Sequence, residues 1–193
     1  MYSVLINGVE AENFTNINIT TMINTISSAR ISLVSKDILP YNLYNTVVIK
    51  SGDFVLFNGI IGDMSVSYSD GVVYKYNITC YDRLYLLKRR VINTNYNLTI
   101  NEYYDMICSE IDIINNIYVS DDFNMPIYSN GKTYWDLLKM VSDYSLISFF
   151  YDSNTNSLYN IASYNKNINL NIDTYNIQYD DGFINSILVK NFK

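Results

Sequence analysis

The chain has 193 residues with 13 basic and 19 acidic side chains, a formal net charge of −6, and 49% hydrophobic against 17% charged residues. This apolar fraction can build a core and excludes global disorder, and the length suits one domain with an insertion or two small ones. Histidine is absent, which removes every His-based triad, dyad and zinc site, and Cys80 and Cys108 lack the spacing of a disulfide framework or thiolate metal site.

The first ninety residues read as antiparallel β-structure. Tyr2–Ile6 is a short apolar strand closed by the turn dipeptide Asn7-Gly8. Ile17, Ile19 and Thr21 alternate along one run, and Ile31 and Leu33 begin another after Ser27-Ser28. Thr46–Lys50 is β-branched, Ser51-Gly52-Asp53 turns the chain into Phe54–Phe57, and Asn58-Gly59 is expected to turn it again into Ile60–Ile61. Met64, Val66 and Tyr68 alternate with serines, and Ser69-Asp70-Gly71 leads into a return strand at Val72–Cys80. Six or seven short strands at this spacing suggest a small barrel or sandwich.

Next comes ITCYDRLYLLKRRVI, residues 78–92, which holds Arg83, Lys88, Arg89 and Arg90 in an acidic chain. As a helical turn it places Leu84, Leu87 and Val91 on one side and Tyr85, Lys88 and Arg89 elsewhere. A sequence pI near 4.5 argues against a nucleic-acid site, which needs a broad basic surface for its affinity. A surface or protein-interface turn is the better reading.

Asn93–Asn97 reads as a polar linker. Thr99 and Glu102 form a capping-box signature ahead of Ile100, Tyr103, Tyr104, Ile107, Ile111 and Ile114 at helical spacing. A second helix begins at Thr133 with Asp136 in the matching acidic position; Trp135, Leu138 and Val141, and less regularly Leu137 and Tyr144, supply its buried stripe. Ile147–Tyr151 and Leu158–Ala162 form a hairpin. The Asn-rich Tyr164–Asn176 holds one weak strand, and the turn Asp180-Asp181-Gly182 precedes a final strand at Phe183–Phe192.

Three carboxylate groups invite an enzymatic reading: Asp121-Asp122, Asp180-Asp181, and Glu102 with Asp105. Such pairs bind calcium or hydrolyse glycosides when folding sets them at the right separation. Each also has a plain role as a cap or solvated turn. No phosphate-binding, nucleophile-elbow or zinc-protease motif is present, so no cofactor, metal or catalytic residue is expected. No apolar run reaches the roughly 18 residues of a membrane span. The opening MYSVLINGVEAENF lacks the features of a signal peptide. The 20 tyrosines suit protein interfaces, although an Asn-, Ile- and Tyr-rich composition also follows from an AT-rich genome.

The order of features resembles baseplate hub proteins of contractile phage tails and phage-tail-like bacteriocins, the late control protein D-like hub family. The opening hairpin through MYSVLINGVEAENFTNINITTMINTISSARISLVSKD is similar, as is the Gly-x-Ile element in Phe57-Asn58-Gly59-Ile60-Ile61-Gly62. TCYDRLYLLKRRVI resembles the place where the family leaves its barrel: Asp82 matches the family's acid, while its glycine is replaced by Cys80 or Tyr81. LTINEYYDMICSEIDI and GKTYWDLLKMVSDYSLISFFYDSNTNSLYNIA, with Trp135, Asp136 and Leu138 at matching positions, resemble the inserted hub module. DDGFINSILVKNF resembles the strand returning to the barrel.

The resemblance implies a mainly β α+β fold: a small antiparallel tail-tube-like β-barrel over 1–93, an inserted helix–helix–hairpin module over 94–180, and a returning strand over 181–193. It implies a structural, non-enzymatic hub component linking tail tube to central spike, assembled in the bacterial cytoplasm and then part of the particle. Its partners would be its own copies in a trimeric or hexameric ring, the tube protein, the spike and other baseplate proteins, with no specific nucleic-acid binding or stable membrane insertion. Arg83, Lys88, Arg89 and Arg90 are then the expected subunit-interface residues. The alternatives are a tail-tube or distal-tail ring subunit and, from another class, a cell-wall glycan hydrolase.

Overall fold

A computed structural model describes residues 2–69, 73–163, 175–180 and 183–189. The strands are β1 (Tyr2–Ile6), β2 (Val9–Glu10), β3 (Phe14–Met22), β4 (Ser28–Ser35), β5 (Thr46–Ser51), β6 (Phe54–Ser69) and β7 (Val73–Asp82). A 3-10 helix, Arg83–Arg89, follows, then β8 (Tyr96–Thr99), α1 (Ile100–Glu110), β9 (Ile114–Asn116), β10 (Asn124–Ile127) and α2 (Tyr134–Ser145). The chain continues through β11 (Phe149–Asp152), β12 (Ser157–Asn160), β13 (Tyr175–Asp180) and β14 (Phe183–Val189). The result is a mainly β α+β protein that divides into two compact units.

The first unit holds β1 to β7 with β13 and β14 in one nine-stranded sheet, ordered β13-β14-β3-β4-β7-β6-β5-β1-β2, and every pairing in it is antiparallel. Alternate residues of β1 and β3 to β7 share one buried cluster, among them Val4, Ile17, Ile31, Ile49, Ile61 and Ile78. A strand turns successive side chains to opposite faces, so this alternation defines one apolar face. Among the described residues of this unit no helix covers that face. The sheet therefore curls over itself, in the manner of a barrel. Bulges at Thr15 of β3 and at Leu56 and Gly62 of β6 sharpen the bend by adding a residue to one strand of a pair.

The predicted strands that fall on described residues are present, with one instructive difference. Asn58-Gly59 is no turn: both residues lie inside the 16-residue β6, opposite Val48 and Val47. Gly59 serves close packing instead. A Cβ there would stand 2.0 Å from the Tyr81 carbonyl oxygen on β7, and a Cβ at Gly62 would stand 2.2 Å from the Tyr81 ring. Both glycines let β7 lie tightly on β6 at its bulge. Asp70 and Gly71 of the expected turn, with Val72 of the return strand, and most of Tyr164–Asn176 fall outside the described residues, as do Asp181-Gly182 and the last residues of the final strand.

The second unit comprises Ile23–Thr25 and the elements from the 3-10 helix through β12. Capping boxes start both helices, Thr99 with Glu102 and Thr133 with Asp136, as their spacing predicts. Helix α1 ends at Glu110, earlier than the periodicity suggests. Asp112 takes a left-handed φ of 55°, the Ile113 N–H returns to the Cys108 carbonyl, and Ile114 becomes an exposed residue of β9. Strand β9 pairs in parallel with β12, while β11 and β12 form the expected hairpin. The expected linker Asn93–Asn97 runs into β8, which pairs with β10. Trp135 of α2 meets Phe149 of β11 edge to face at 6.0 Å, whereas Tyr144, expected on the buried stripe, is exposed. Asn24 completes this unit: its N–H donates to the Phe149 carbonyl, and its Oδ1 accepts from the Phe149 N–H.

Replacing Gly59 with Ala should cost about 1–3 kcal/mol, as overpacking does, because its obstacle is backbone. Gly62→Ala should cost less, because a tyrosine ring can swing aside. Urea unfolding midpoints of the two variants give the comparison; an unaltered Gly59→Ala midpoint would remove the close-approach account.

Candidate functional site

The basic turn grows from the end of β7. Asp82 is fully buried, its carboxylate accepts the Ser27 N–H at 2.6 Å, and its own N–H donates to the Ser27 carbonyl at 3.0 Å. The chain then tightens into the 3-10 helix. Leu84 and Leu87, three apart as a three-residue turn requires, are completely buried. Lys88, Arg89 and Arg90 are exposed as expected. Val91 is not on the buried side. The helix has ended before it, and Val91 forms an isolated antiparallel bridge with Thr133 and remains exposed.

The four cations divide by what they touch. Arg83 is half-buried and donates from Nη2 to the Ile111 carbonyl at 2.8 Å. Arg90 pairs through Nη1 with Glu110 Oε2 at 2.8 Å, and its carbonyl accepts the Tyr134 N–H. Both guanidinium groups thus sit at the C-terminal end of α1, where positive charge complements the helix dipole. The exposed ion pair itself contributes at most about 1 kcal/mol. The Lys88 ammonium stands 5.6 Å from the Trp135 ring, and Arg89 stands 5.7 Å from the Tyr85 ring. Desolvation, then the hydrogen bond with Tyr96 and the charge of Glu110, push the Tyr134 phenol well above its ordinary range.

The opposite end of α1 is anionic. Asp122 Oδ1 accepts the Asn101 N–H at 3.1 Å, and the Asn101 side chain grips Val119 at both its N–H and its carbonyl. Asn101 thereby fastens the loop that presents exposed Tyr118 and Phe123. Partial desolvation opposes ionisation of Asp122, but hydrogen bonds from Asn101, Thr99 and Ile100 outweigh it and hold the carboxyl below its usual value. Hydrogen bonds from Thr133 do the same for Asp136 at the start of α2.

The candidate carboxylate groups are used structurally where they are described. Glu102 accepts the Thr99 N–H, Asp105 accepts from Asn115, and Asp122 caps α1. Asp180 ends β13, and Asp181 lies outside the described residues. Among the described residues no three His, Cys, Asp or Glu side chains gather as a metal site, and no helix is long and apolar enough to cross a membrane. Cys80 and Cys108 are free and buried; burial pushes both thiols up to about 12, so neither is a ready nucleophile. Sequence reasoning missed Asn101 and the aromatic loop it holds, because a mid-sequence Asn carries no signal of its long-range partner.

These elements define a class: the fold is that of phage tail proteins. The chain is similar to the 43 kDa tail protein of prophage MuSo2 from Shewanella oneidensis, with 19% identity and a TM-score of 0.68 over 82% of this chain and 53% of that one. It is similar to the E. coli c3393 protein, described as a type VI secretion component resembling the T4 tail proteins gp27 and gp5, with 18% identity and a TM-score of 0.70 over 90% and 54%. A tail protein from Neisseria meningitidis MC58 follows at 14% identity and 0.66 over 93% and 59%. The chain spans just over half the length of these proteins. Likeness at such identity is likeness of fold. No protein-family model and no curated protein matches the sequence.

Asp136 and Asp122 make stability depend on acid. Their folded pKa values lie below the unfolded 3.8, so their stabilisation is complete above that value and is lost as pH falls through the lower folded values. Asp136→Asn should therefore flatten the fall in thermal midpoint below about pH 4; an unchanged acid slope would contradict the assignment. Asp82→Ala should cost about 1–3 kcal/mol in urea unfolding, the penalty for stranding the buried Ser27 N–H. Asp82→Asn, which retains an acceptor, should cost less.

Proposed function

We propose that the chain is a structural component of the baseplate hub in a contractile phage tail or phage-tail-like particle, joining the tail tube to the central spike. The observation that carries this reading is the tail-protein fold, shared with phage tail proteins and with a type VI secretion component. In this reading 1–93 forms the tube-like barrel, 94–180 the inserted module and 181–193 the return to the barrel. Copies of the chain form a ring between the tube and spike proteins, assembled in the bacterial cytoplasm and retained in the particle. Arg83 and Arg90 are engaged at the C-terminal end of α1, and Lys88 and Arg89 supply the face of the basic turn offered to a neighbouring subunit.

A structural role accords with the chemistry. Glu102, Asp105 and Asp122 already receive hydrogen bonds from the protein's own backbone and side chains, which leaves a hydrolase reading little to build on.

Co-expression with the proteins encoded beside it, followed by negative-stain imaging, tests the assignment. The expected result is density for this chain at the junction of tube and spike. Its incorporation along the tube would favour the ring-subunit alternative. A monomer that joins no particle and clears cell-wall glycan would overturn the proposal.

A further inference from the structure

Helix α1 carries opposite charge at its two ends. Asp122, next to Asp121, bonds at its N-terminal turn, and Arg83 and Arg90, from the segment that also carries Lys88 and Arg89, bond at its C-terminal end; the helix between is 11 residues long. At 1.5 Å per residue the ends are roughly 15 Å apart. The helix dipole explains part of this arrangement, since Asp122, Arg83 and Arg90 each bond to an end of α1 or its flanking residue. It does not explain Tyr118, which is 79% exposed, or Phe123, which is 47% exposed, on either side of Asp121. Nor does it explain why Lys88 and Arg89 face outward beside Val91, which is 49% exposed. An aromatic anchor on a fastened loop loses little conformational freedom on binding, which suits it to a protein contact.

We propose that the loop bearing Tyr118, Asp121 and Phe123 of one copy docks against Lys88, Arg89 and Val91 of a second copy. The two surfaces complement each other in charge and each offers apolar area. They lie at different places on the same unit, so the contact is head to tail and either closes a ring or extends a file. The proposal rests on the assembly reading above and names the two faces that meet in it.

The test uses the full chain in sedimentation velocity, at several concentrations and at low and high salt, beside Asp121→Lys and the double variant Lys88→Glu/Arg89→Glu. Far-UV circular dichroism checks that both variants fold; Asp122, Arg83 and Arg90 stay untouched because they hold α1. The wild type should self-associate, less so in high salt, and each variant should weaken association by roughly tenfold or more, as reversed charge at an interface does. The decisive sample mixes the two variants. One keeps its basic turn and the other its acidic loop, and the two reversed faces are again opposite in charge, so together they should regain association as a mixed complex that neither variant forms alone. A salt-indifferent monomeric wild type, variants that associate as the wild type does, or a mixture without the complex would each overturn the contact. Tyr118→Ser, which leaves every charge in place, should also weaken association; if it does not, the aromatic anchor is wrong and the proposal fails with it. Entry into tail particles is scored separately. A chain that enters them yet shows no such contact leaves the tail assignment standing and removes only this inference.

Discussion

The buried Asp82 carboxylate, held by the Ser27 N–H, fixes where the sheet stops. Asp82 is the last residue of β7, whose neighbours are β4 and β6, and it stands opposite Gly59 of β6. Its own N–H reaches the Ser27 carbonyl just before β4 begins, so one residue closes the ladder on both sides. An apolar side chain would fill the space but strand a buried amide, and backbone groups removed from water must be paired. With the ladder closed, Arg83 is free of strand geometry and the next turn can tighten into a 3-10 helix. The basic residues occur here because the chain leaves the sheet here.

The same economy governs the second unit. Its two helices are short, and helices of such length draw most of their stability from packing rather than from propensity. Capping boxes satisfy the first amide groups of each. For α1 the C-terminal carbonyls receive Arg83, and the end residue Glu110 receives Arg90. The cations of the 83–90 segment therefore have two offices, divided by position: the outer pair, Arg83 and Arg90, stabilises a helix, and the exposed Lys88 and Arg89 lie over aromatic rings. A residue count alone merges these roles.

Most of the fold was legible because it rests on local pattern. Alternation in β3 to β7, the two capping boxes and the β11–β12 hairpin are each encoded within a few neighbouring residues. The failures share a cause, which is dependence on distant partners. Asn58-Gly59 has turn chemistry, yet the approach of Tyr81, more than twenty residues on, makes it strand. Val91 continues a helical stripe on paper but follows Thr133 instead. The charges of the candidate site were legible as composition, and Asp82 through its place in a resemblance. The aromatic loop was not, because the grip of Asn101 on Val119 is visible only in three dimensions.

This division explains how the fold is shared at 18–19% identity with a prophage tail protein and a type VI secretion component. A curled sheet needs alternation, a few close backbone approaches and paired amides, and many side chains satisfy those demands equally well. Surface charge is under no such constraint, so it can change without disturbing the core. A fold that tolerates such divergence hosts many roles, and the role of any one chain is set by the faces it turns outward. In this chain the outward faces of the second unit include a cationic turn and an acidic aromatic loop, bonded to opposite ends of one helix. The sheet gives it the fold of tail proteins, and in the proposed assembly those two faces select what it joins.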